Sequence, residues 1–247
     1  MVFRFIATAL IVLNAQALFA RELVVISDLD ETLRIANVEN HAKAGLRLLA
    51  GVKPYEGLTT IFQDIKLKNP DAKFYYLSNS YTFLYNGKKW TRDNGLPEGE
   101  SFQRCLKDKM ENFKPEKLRE IAKNHPDATF LMFGDNIEKD PDFYKQFKEE
   151  NQLHDSQIFI RDARLIFPQE NGFTYFQTDS QIVDDLNVSP EAALKVNALT
   201  LSQMVPRFLF RNLRKRLIQE CEAAAGNCTE LADSRIQEVT ELLSPAQ

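Results

Sequence analysis

Residues 24–33 read VVISDLDETL, and this stretch decides the fold. Its three β-branched residues in a row are typical of a buried strand. Asp28 and Asp30 follow at the end of that strand, spaced so that their side chains share one face. Open α/β sheets bind their ligands at the carboxyl ends of the strands. Two carboxylates this close repel each other unless a cation or a shared proton relieves them, so the stretch predicts a site for a divalent metal and a phosphoryl group.

The rest of the chain alternates between strand-like and helix-like patterns. Apolar runs predict further strands at 73–77, 128–133 and 157–160, and helical spacing predicts helices at 55–67, 81–94, 114–124 and around 144–147. Such alternation indicates βαβ units. The sequence therefore predicts an α/β fold, a three-layer sandwich around a mainly parallel sheet, with the polar clusters at the strand ends.

Two segments lack a clear periodicity. Residues 33–54 follow the acidic stretch, and we expect a short insert there that forms a small cap over the site. Residues 95–113 are polar, and we expect a loop with one short element. Lys114 and Pro115 then open a helix, because proline suits the first helical turn.

Residues beyond about 180 carry no strand signal and predict helices separated at Pro206 and Gly226. We therefore divide the chain into an α/β domain over 21–180 and a helical C-terminal extension over 181–247. Within the extension, residues 205–218 combine an apolar stripe with a basic face. Such a helix either packs its stripe on the domain or makes peripheral contact with an anionic membrane.

Residues 1–20 have the order of a secretory signal peptide: a positive charge at Arg4, an apolar run, and small residues near its end. Cleavage would follow Ala17 or Ala20. The apolar run is short for a bilayer span, which disfavours an uncleaved anchor. We expect a secreted or periplasmic protein.

The composition excludes some classes of partner. The chain has 247 residues, 44% of them hydrophobic, and a formal net charge of −4. It is long enough for a sizeable core, and its acidic balance argues against nucleic-acid binding. Cys221 and Cys228 would either pair in an oxidising compartment or remain two thiols, and Cys105 would stay free.

Phosphate-ester hydrolysis requires a nucleophile, a proton donor for the leaving alcohol, and positive charge near the phosphoryl oxygens. Asp28, the first carboxylate after the strand, is the candidate nucleophile and would form an aspartyl-phosphate. Asp30 is the candidate general acid, which later activates water as a base. Thr32 would order this loop by hydrogen bonding and is grouped with the substrate-binding residues.

Later strand ends supply the rest of the candidate site. Ser78 and Asn79 follow the second strand, where the Ser78 hydroxyl would bind a phosphoryl oxygen and the Asn79 amide would add a donor. Lys114 lies one helix and one strand before Asp135, which brings its ammonium group back to the carboxylates. There it would offset negative charge on Asp28 and on the phosphate.

The cofactor expected here is Mg²⁺. Asp135, together with Asp28 and the backbone carbonyl of Asp30, would hold this small, hard cation, which prefers oxygen ligands and keeps several waters. Glu138 and Asp140 are candidates for its outer shell.

The D-x-D-x-T pattern that begins at Asp28 resembles motif I of the haloacid dehalogenase-like (HAD) phosphohydrolases, whose first aspartate is the nucleophile. An isolated pattern of this kind also fits a strand that runs into an acidic, solvated turn. Ser78, Lys114 and Asp135 follow in HAD order and spacing, which favours the catalytic interpretation. The resemblance implies a HAD-like, Rossmannoid fold.

Within that superfamily the chain resembles the phosphatidate phosphatases of the yeast actin-patch type and their bacterial relatives. The shared features are S-D-x-D-x-T, Y-L-S-N-S at 76–80, G-D-x-x-E-x-D-P-x-x-Y at 134–144, and Arg161-Asp162. The resemblance covers roughly residues 23–165. Departures are the insert at 33–54, Phe113 before Lys114 where the family often has histidine, and the helical tail.

Three functions stay open on the sequence. The favoured one is a Mg²⁺-dependent phosphatase that acts on a phospholipid such as phosphatidate. The second has the same chemistry on soluble phosphomonoesters such as nucleotides or sugar phosphates. The third is a non-catalytic lipid-sensing module, although such modules typically lack a catalytic aspartate and both Asp28 and Asp30 are present. Other catalytic schemes lack their motifs, because the three histidines form no metal-ligand spacing and neither G-x-S-x-G nor a P-loop occurs.

Overall fold

A computed structural model describes residues 21–34, 53–163 and 171–204. Several predictions fall outside these ranges. They are the signal peptide at 1–20, most of the insert at 33–54, the amphipathic helix at 205–218 and the pairing of Cys221 with Cys228. Cys105 lies within the described ranges and is an exposed free thiol, as expected.

In the described ranges, six parallel strands form one sheet. Their bounds are β1 Leu23–Asp28, β2 Lys73–Tyr81, β3 Glu100–Arg104, β4 Thr129–Asp135, β5 Gln157–Arg161 and β6 Thr174–Phe176. The spatial order is β3-β2-β1-β4-β5-β6, so the chain builds outward from β1 in one direction and then returns to build outward in the other. The switch point lies between β1 and β4, and ligands bind at such a point.

Five helices cover the sheet in the described ranges. They are α1 Glu56–Lys68, α2 Gly87–Asp93, α3 Met110–Asn124, α4 Asp140–Glu150 and α5 Pro190–Met204, with a 3₁₀-helix at Asp179–Ile182. None of these helices is both long and apolar enough to cross a membrane.

Two hydrophobic clusters lie on the two faces of the sheet. In β1, Val25 belongs to one cluster and Val24 and Ile26 to the other, as the alternation of a strand requires. Phe62 of α1 and Val196 of α5 pack with Val25. The opposite cluster receives side chains from α3 and α4, namely Leu118, Ile121, Tyr144 and Phe147. The predicted three-layer α/β fold is therefore confirmed.

The helix predicted over 81–94 is wrong in its first half. β2 continues to Tyr81, because its last residue still pairs with Arg104 of β3. The helix begins only at Gly87, after the Asn86 side chain accepts a hydrogen bond of 2.8 Å from the Lys89 amide and caps it.

Residues 95–113 contain one short strand, β3, which agrees with the expected loop with one short element, but they also contain the first turn of α3, which was not predicted. The helix starts at Met110 rather than at Lys114, so Pro115 lies inside it and removes one backbone hydrogen bond. The side chains of Phe113 and Lys114 are buried beside it. Their packing and ion pairs outweigh the missing bond.

α5 packs against α1. Ser189, just before α5, donates to Asp64 of α1 through its amide at 3.0 Å and its hydroxyl at 2.5 Å. Lys68 donates to the carbonyl of Asn187 at 2.5 Å, and Val196 is fully buried. The described part of the C-terminal extension thus packs on the same sheet.

Candidate active site

A buried ion cluster lies at the switch point, where β1 and β4 end. Lys114 of α3 is completely buried, and its ammonium group contacts three carboxylates. The Nζ atom lies 2.8 Å from Asp28 Oδ1, 3.1 Å from Glu138 Oε2 and 2.5 Å from Asp140 Oδ1. The sequence prediction that Lys114 returns to the carboxylates is matched by this geometry.

The ionisation of Lys114 follows from these neighbours. Burial alone would lower its pKa, but Asp140, Asp28 and Glu138 outweigh that effect and raise the pKa well above its usual value. Burial would raise the pKa of Glu138, yet Lys114 and hydrogen bonding lower it. Lys114 is therefore a fixed positive charge, and Glu138 is its ionised partner.

Asp28, Asp135 and Asp140 can each place one carboxylate oxygen within 4.8 Å of the others. Burial raises the pKa of Asp28 most, Lys114 opposes it, and Asp140, Asp135 and Glu138 raise it further. Burial and Asp140 likewise raise the pKa of Asp135 to about 8. One lysine does not balance this much buried negative charge.

The residues present fit a divalent cation. Asp28 Oδ2 is buried and has no hydrogen-bond partner among the described residues, which is costly for a carboxylate oxygen unless something charged binds it. A set of buried carboxylates suits a hard cation such as Mg²⁺. The sequence placed Asp140 in an outer shell, whereas the structure brings its carboxylate into the same group as Asp28 and Asp135.

The loop after β4 holds Asp135 in place. Asp135 Oδ1 accepts hydrogen bonds from the amides of Ile137 at 2.6 Å and Glu138 at 3.3 Å, and its Oδ2 accepts one from the Thr32 hydroxyl at 3.4 Å. Thr32 thus orders the site, as expected, by reaching from the β1 loop to the end of β4.

Gly134 explains part of the G-D-x-x-E-x-D-P-x-x-Y pattern. A Cβ atom at Gly134 would lie 2.7 Å from Asp140 Cβ and 2.8 Å from Tyr144 Cε2. The close approach of α4 to β4 therefore requires glycine, and it lets Asp140 reach Lys114. Tyr144 completes the contact by donating to the Phe133 carbonyl at 3.0 Å.

Asp30 lies in a different environment from Asp28. Its Oδ2 atom accepts hydrogen bonds from the hydroxyls of Ser78 at 2.7 Å, Ser80 at 2.9 Å and Tyr85 at 3.3 Å. Its Oδ1 atom lies 3.3 Å from Arg34 Nε. That contact is an ion pair without hydrogen-bond geometry, and in the described part of the chain Arg34 Nε has no hydrogen-bond partner.

Sequence reasoning missed three of the partners of Asp30. Ser80 was detectable, since it lies two residues after Ser78 on the same face of β2. Tyr85 and Arg34 carry no such signal. They meet only in the folded chain, where the Arg34 guanidinium lies 3.6 Å above the Tyr85 ring.

Ser78 and Asn79 both reach the site, but through protein partners. The Ser78 hydroxyl donates to Asp30 and accepts from the Ser80 amide and the Tyr85 hydroxyl, each at 3.0 Å. The Asn79 side-chain amide donates to Glu138 Oε2 at 2.7 Å. Both residues thus connect β2 to the carboxylates of β1 and β4.

Arg161, at the end of β5, supports the loop after β1. Its Nε atom donates to the Thr32 carbonyl at 3.1 Å, and its Nη2 atom donates to Asp179 at 2.6 Å. The guanidinium also lies 3.8 Å from the centre of the Tyr55 ring. This buried arginine was noted in the sequence only as part of a motif, and the structure shows what it holds.

Paired carboxylates and a buried lysine at the switch point of a parallel sheet are the arrangement of a HAD-like phosphatase. Residues 23–162 match the family described as "Phosphatidate phosphatase APP1, catalytic domain". The chain belongs to this family, and it is therefore a hydrolase of phosphate esters.

Among solved structures, the chain is similar to one described as "Phospho-Aspartyl Intermediate Analogue of Phosphoserine phosphatase". The two share 16% sequence identity with a TM-score of 0.35, over 57% of this chain and 87% of the other. No curated protein matches the chain.

Proposed function

We propose that this protein is a Mg²⁺-dependent phosphatase that hydrolyses phosphatidate through an aspartyl-phosphate on Asp28. The family match supports the substrate class. The observation that carries the mechanism is the Asp28 carboxylate, whose Oδ1 atom is held by Lys114 while Oδ2 is buried and has no partner among the described residues.

Asp28 acts as the nucleophile. One of its carboxylate oxygens attacks phosphorus, the bond from phosphorus to the lipid oxygen breaks, and the phosphoryl group stays on Asp28. Lys114 remains protonated throughout, because three carboxylates stabilise its charge. It orients Asp28 and offsets the charge of the transferring group.

Asp30 carries the protons. It delivers a proton to the lipid alcohol as this leaves, and it then takes a proton from the water that attacks the aspartyl-phosphate. Ser78, Ser80 and Tyr85 fix its carboxylate at hydrogen-bonding distance. A fixed acid matters because misplacement by an ångström is costly for proton transfer.

Asp28, Asp135 and the backbone carbonyl of Asp30 would hold Mg²⁺, with Asp140 beside them. When bound, the cation neutralises charge on the phosphoryl oxygens. Ser78 and Asn79 would bind the phosphate from the β2 side once the Ser78 hydroxyl turns its proton from Asp30 to a phosphoryl oxygen and an Asn79 amide adds a donor. Thr32 keeps Asp135 aligned. Glu138 and Asp140 fix the ammonium group of Lys114.

The deciding experiment is phosphate release by the purified protein with Mg²⁺. Phosphatidate in mixed micelles is compared with nucleotide and sugar phosphates, with Asp28→Asn as the control for contaminating phosphatases. We expect phosphatidate to have the highest kcat/KM. A clearly higher kcat/KM for a soluble ester would contradict phosphatidate as the substrate. No phosphate release from any ester would contradict catalysis.

We also propose that the protein is exported and that residues 205–218 contact anionic membranes. The support is in the sequence alone: the signal-peptide pattern at 1–20, and the apolar stripe and basic face of 205–218. An N-terminus at Leu18 or Arg21 in protein from the producing cell would agree with export, and an intact Met1 would contradict it.

Replacing Arg207, Arg211, Arg214 and Lys215 by Gln should weaken sedimentation with anionic liposomes, and unchanged sedimentation would contradict the membrane role.

A further inference from the structure

Large apolar side chains are exposed at six described positions, and four of these are in the segments that follow two neighbouring strands, β2 and β3. We call these four the apolar rim: Phe83, Leu84, Leu106 and Met110. They follow β2 and β3, at the same carboxyl edge of the sheet that carries the acidic site. Single exposed apolar residues are ordinary, whereas a group beside a site indicates binding.

The backbone joins the two halves of the rim. Tyr81 of β2 pairs with Arg104 of β3, and the Thr82 amide donates to the Arg104 carbonyl at 3.2 Å. Residues 82–84 and 105–110 therefore leave the sheet side by side, at the same edge.

The rim is also coupled to the active site. The Phe83 ring stacks on Tyr81 with 5.2 Å between centroids, and the Arg104 guanidinium lies 4.1 Å from the Tyr81 ring. Arg104 Nε donates to the Asn79 carbonyl at 2.9 Å, and the Asn79 side chain binds Glu138 beside Lys114. A surface docked on the rim would thus lie close to the acidic cluster.

The segments that carry the rim have more basic than acidic residues, although the chain as a whole is acidic. Residues 82–93 contain three basic residues and one acidic residue, Asp93, which forms ion pairs with Lys89 and Arg92. Residues 105–110 add Lys107 and Lys109, both exposed. Their one acidic residue, Asp108, uses its carboxylate to accept the Cys105 amide at 2.7 Å.

We propose that the apolar rim and its lysines dock on an anionic lipid bilayer and bring the acidic site to the phospholipid headgroups. Apolar side chains enter the boundary between headgroups and acyl chains, while the lysine ammonium groups stay at the level of the lipid phosphates. This inference rests on the proposed function, because phosphatidate lies in such a surface.

The test compares two matched double variants of the full chain. Leu106→Gln with Met110→Gln alters the rim. Leu67→Gln with Leu194→Gln is the control, because these leucines are 80% and 73% exposed but lie on α1 and α5, away from the rim. Binding is measured by sedimentation with vesicles of equal parts phosphatidylcholine and phosphatidylglycerol.

We expect the rim variant to lose vesicle affinity by about tenfold or more, since two apolar side chains no longer enter the lipid. Hydrolysis of phosphatidate in vesicles should fall by a similar factor, while hydrolysis of a soluble aryl phosphate stays unchanged. The control pair should match the wild type in all three assays. Equal losses in both pairs would overturn the proposal.

A second measurement is independent of those variants. Phe83→Trp places an indole on the rim, and its fluorescence should shift to the blue when anionic vesicles are added but not with phosphatidylcholine alone. An unchanged spectrum would overturn the proposal. A wild type that is a dimer and a rim variant that is a monomer would also overturn the proposal, because a second copy of the chain would then cover the rim. A lower melting temperature of the rim variant would do the same, because the rim would then be packed against the chain itself.

The two hypotheses fail differently. If the wild type hydrolyses phosphatidate in detergent micelles but shows no rim-dependent vesicle binding, docking is wrong and the proposed function stands. If rim-dependent binding occurs without hydrolysis of phosphatidate in any form, docking stands and the proposed substrate is wrong.

Discussion

Asp28 and Asp30 are close in sequence, yet the structure gives their carboxylates different partners. Asp28 contacts the Lys114 ammonium group and keeps one oxygen without a partner among the described residues. Asp30 accepts hydrogen bonds from three hydroxyl groups on one oxygen, and its other oxygen forms an ion pair with Arg34. This difference in environment supports the proposed roles, in which Asp28 forms the bond to phosphorus and Asp30 exchanges the proton.

Asp28→Asn should lower phosphatase turnover by several orders of magnitude, because a neutral amide does not attack phosphorus. The fold should survive, since asparagine has the same shape and its carbonyl oxygen still accepts from Lys114. Phosphate release gives the rate, and thermal unfolding gives the control for folding. Turnover within a few-fold of the wild type would contradict the assignment of Asp28 as the nucleophile.

The loss of kcat caused by Asp30→Asn should depend on the leaving group of the substrate. An alkyl phosphate needs a proton on its departing oxygen, whereas an activated aryl phosphate needs much less. We therefore expect a larger loss of kcat with the alkyl ester, of about a hundredfold or more. Tyr85→Phe is the matched control, because it removes a donor to Asp30 but keeps the acid, so both esters should be affected alike. Equal losses of kcat with both esters in Asp30→Asn would mean that another group donates the proton.

The carboxylates were readable from the sequence because each comes directly after a strand, where the sheet fixes its position. Thr32 and Lys114 were readable from their spacing to these strands. Arg34 and Tyr85 were not, because their meeting over Asp30 depends on the paths of two loops. Sequence periodicity describes neighbours along an element, and it holds no information about contacts between loops.

At the level of elements, burial separates the strands that were predicted from those that were not. β1, β4 and β5 are buried and read as apolar runs. β3 has the sequence ESFQR and is an edge strand that is only partly buried, so its composition resembles a loop. β6 is the other edge and has only three residues. Edge strands need less apolar sequence, which is why β3 was expected only as a short element of unstated type and β6 was not predicted.

One of the contacts that attach α5 to α1 is made by a carboxylate, Asp64. Burial would raise the pKa of Asp64, but hydrogen bonds from Ser189 and Lys68 lower it below its usual value. Asp64→Asn should therefore reduce the free energy of unfolding by about 1–2 kcal/mol at neutral pH. Urea titration of the two proteins measures the difference, and Ser180→Ala, outside this contact, is the control.

This difference should depend on pH in a defined direction. Unfolded aspartate has a pKa of about 3.9, and the folded pKa of Asp64 is lower. The stabilisation is therefore complete above about pH 4 and is lost as the pH falls through the folded pKa. The difference in the free energy of unfolding between the wild type and Asp64→Asn should become smaller in acid. A gap that stays constant would mean that the ionised form of Asp64 is not what holds α5.

At the scale of the whole molecule, the topology that creates the site also strains it. The switch between β1 and β4 brings Asp28, Asp135 and Asp140 together in a buried place with Lys114 as their cation. Each carboxylate has a raised pKa, mainly because of burial. Natural proteins tolerate such conflicts at functional sites and offset them elsewhere, here through the two cores on either side of the sheet.

Mg²⁺ should therefore stabilise the entire domain. A ligand that binds only the folded state raises the free energy of unfolding, by about 2.7 kcal/mol at a hundred times its Kd. We expect the melting temperature of the wild type to rise with added Mg²⁺ and to return after chelation. Asp135→Asn should lose this response, and without Mg²⁺ it should melt no lower than the wild type, because burial and Asp140 already favour the neutral form of Asp135 and asparagine is neutral. Asp142→Asn, which changes a carboxylate on α4 outside the cluster, should respond like the wild type. A wild type that Mg²⁺ does not stabilise, or an Asp135→Asn variant that responds fully, would show that the acidic cluster is not the cation site.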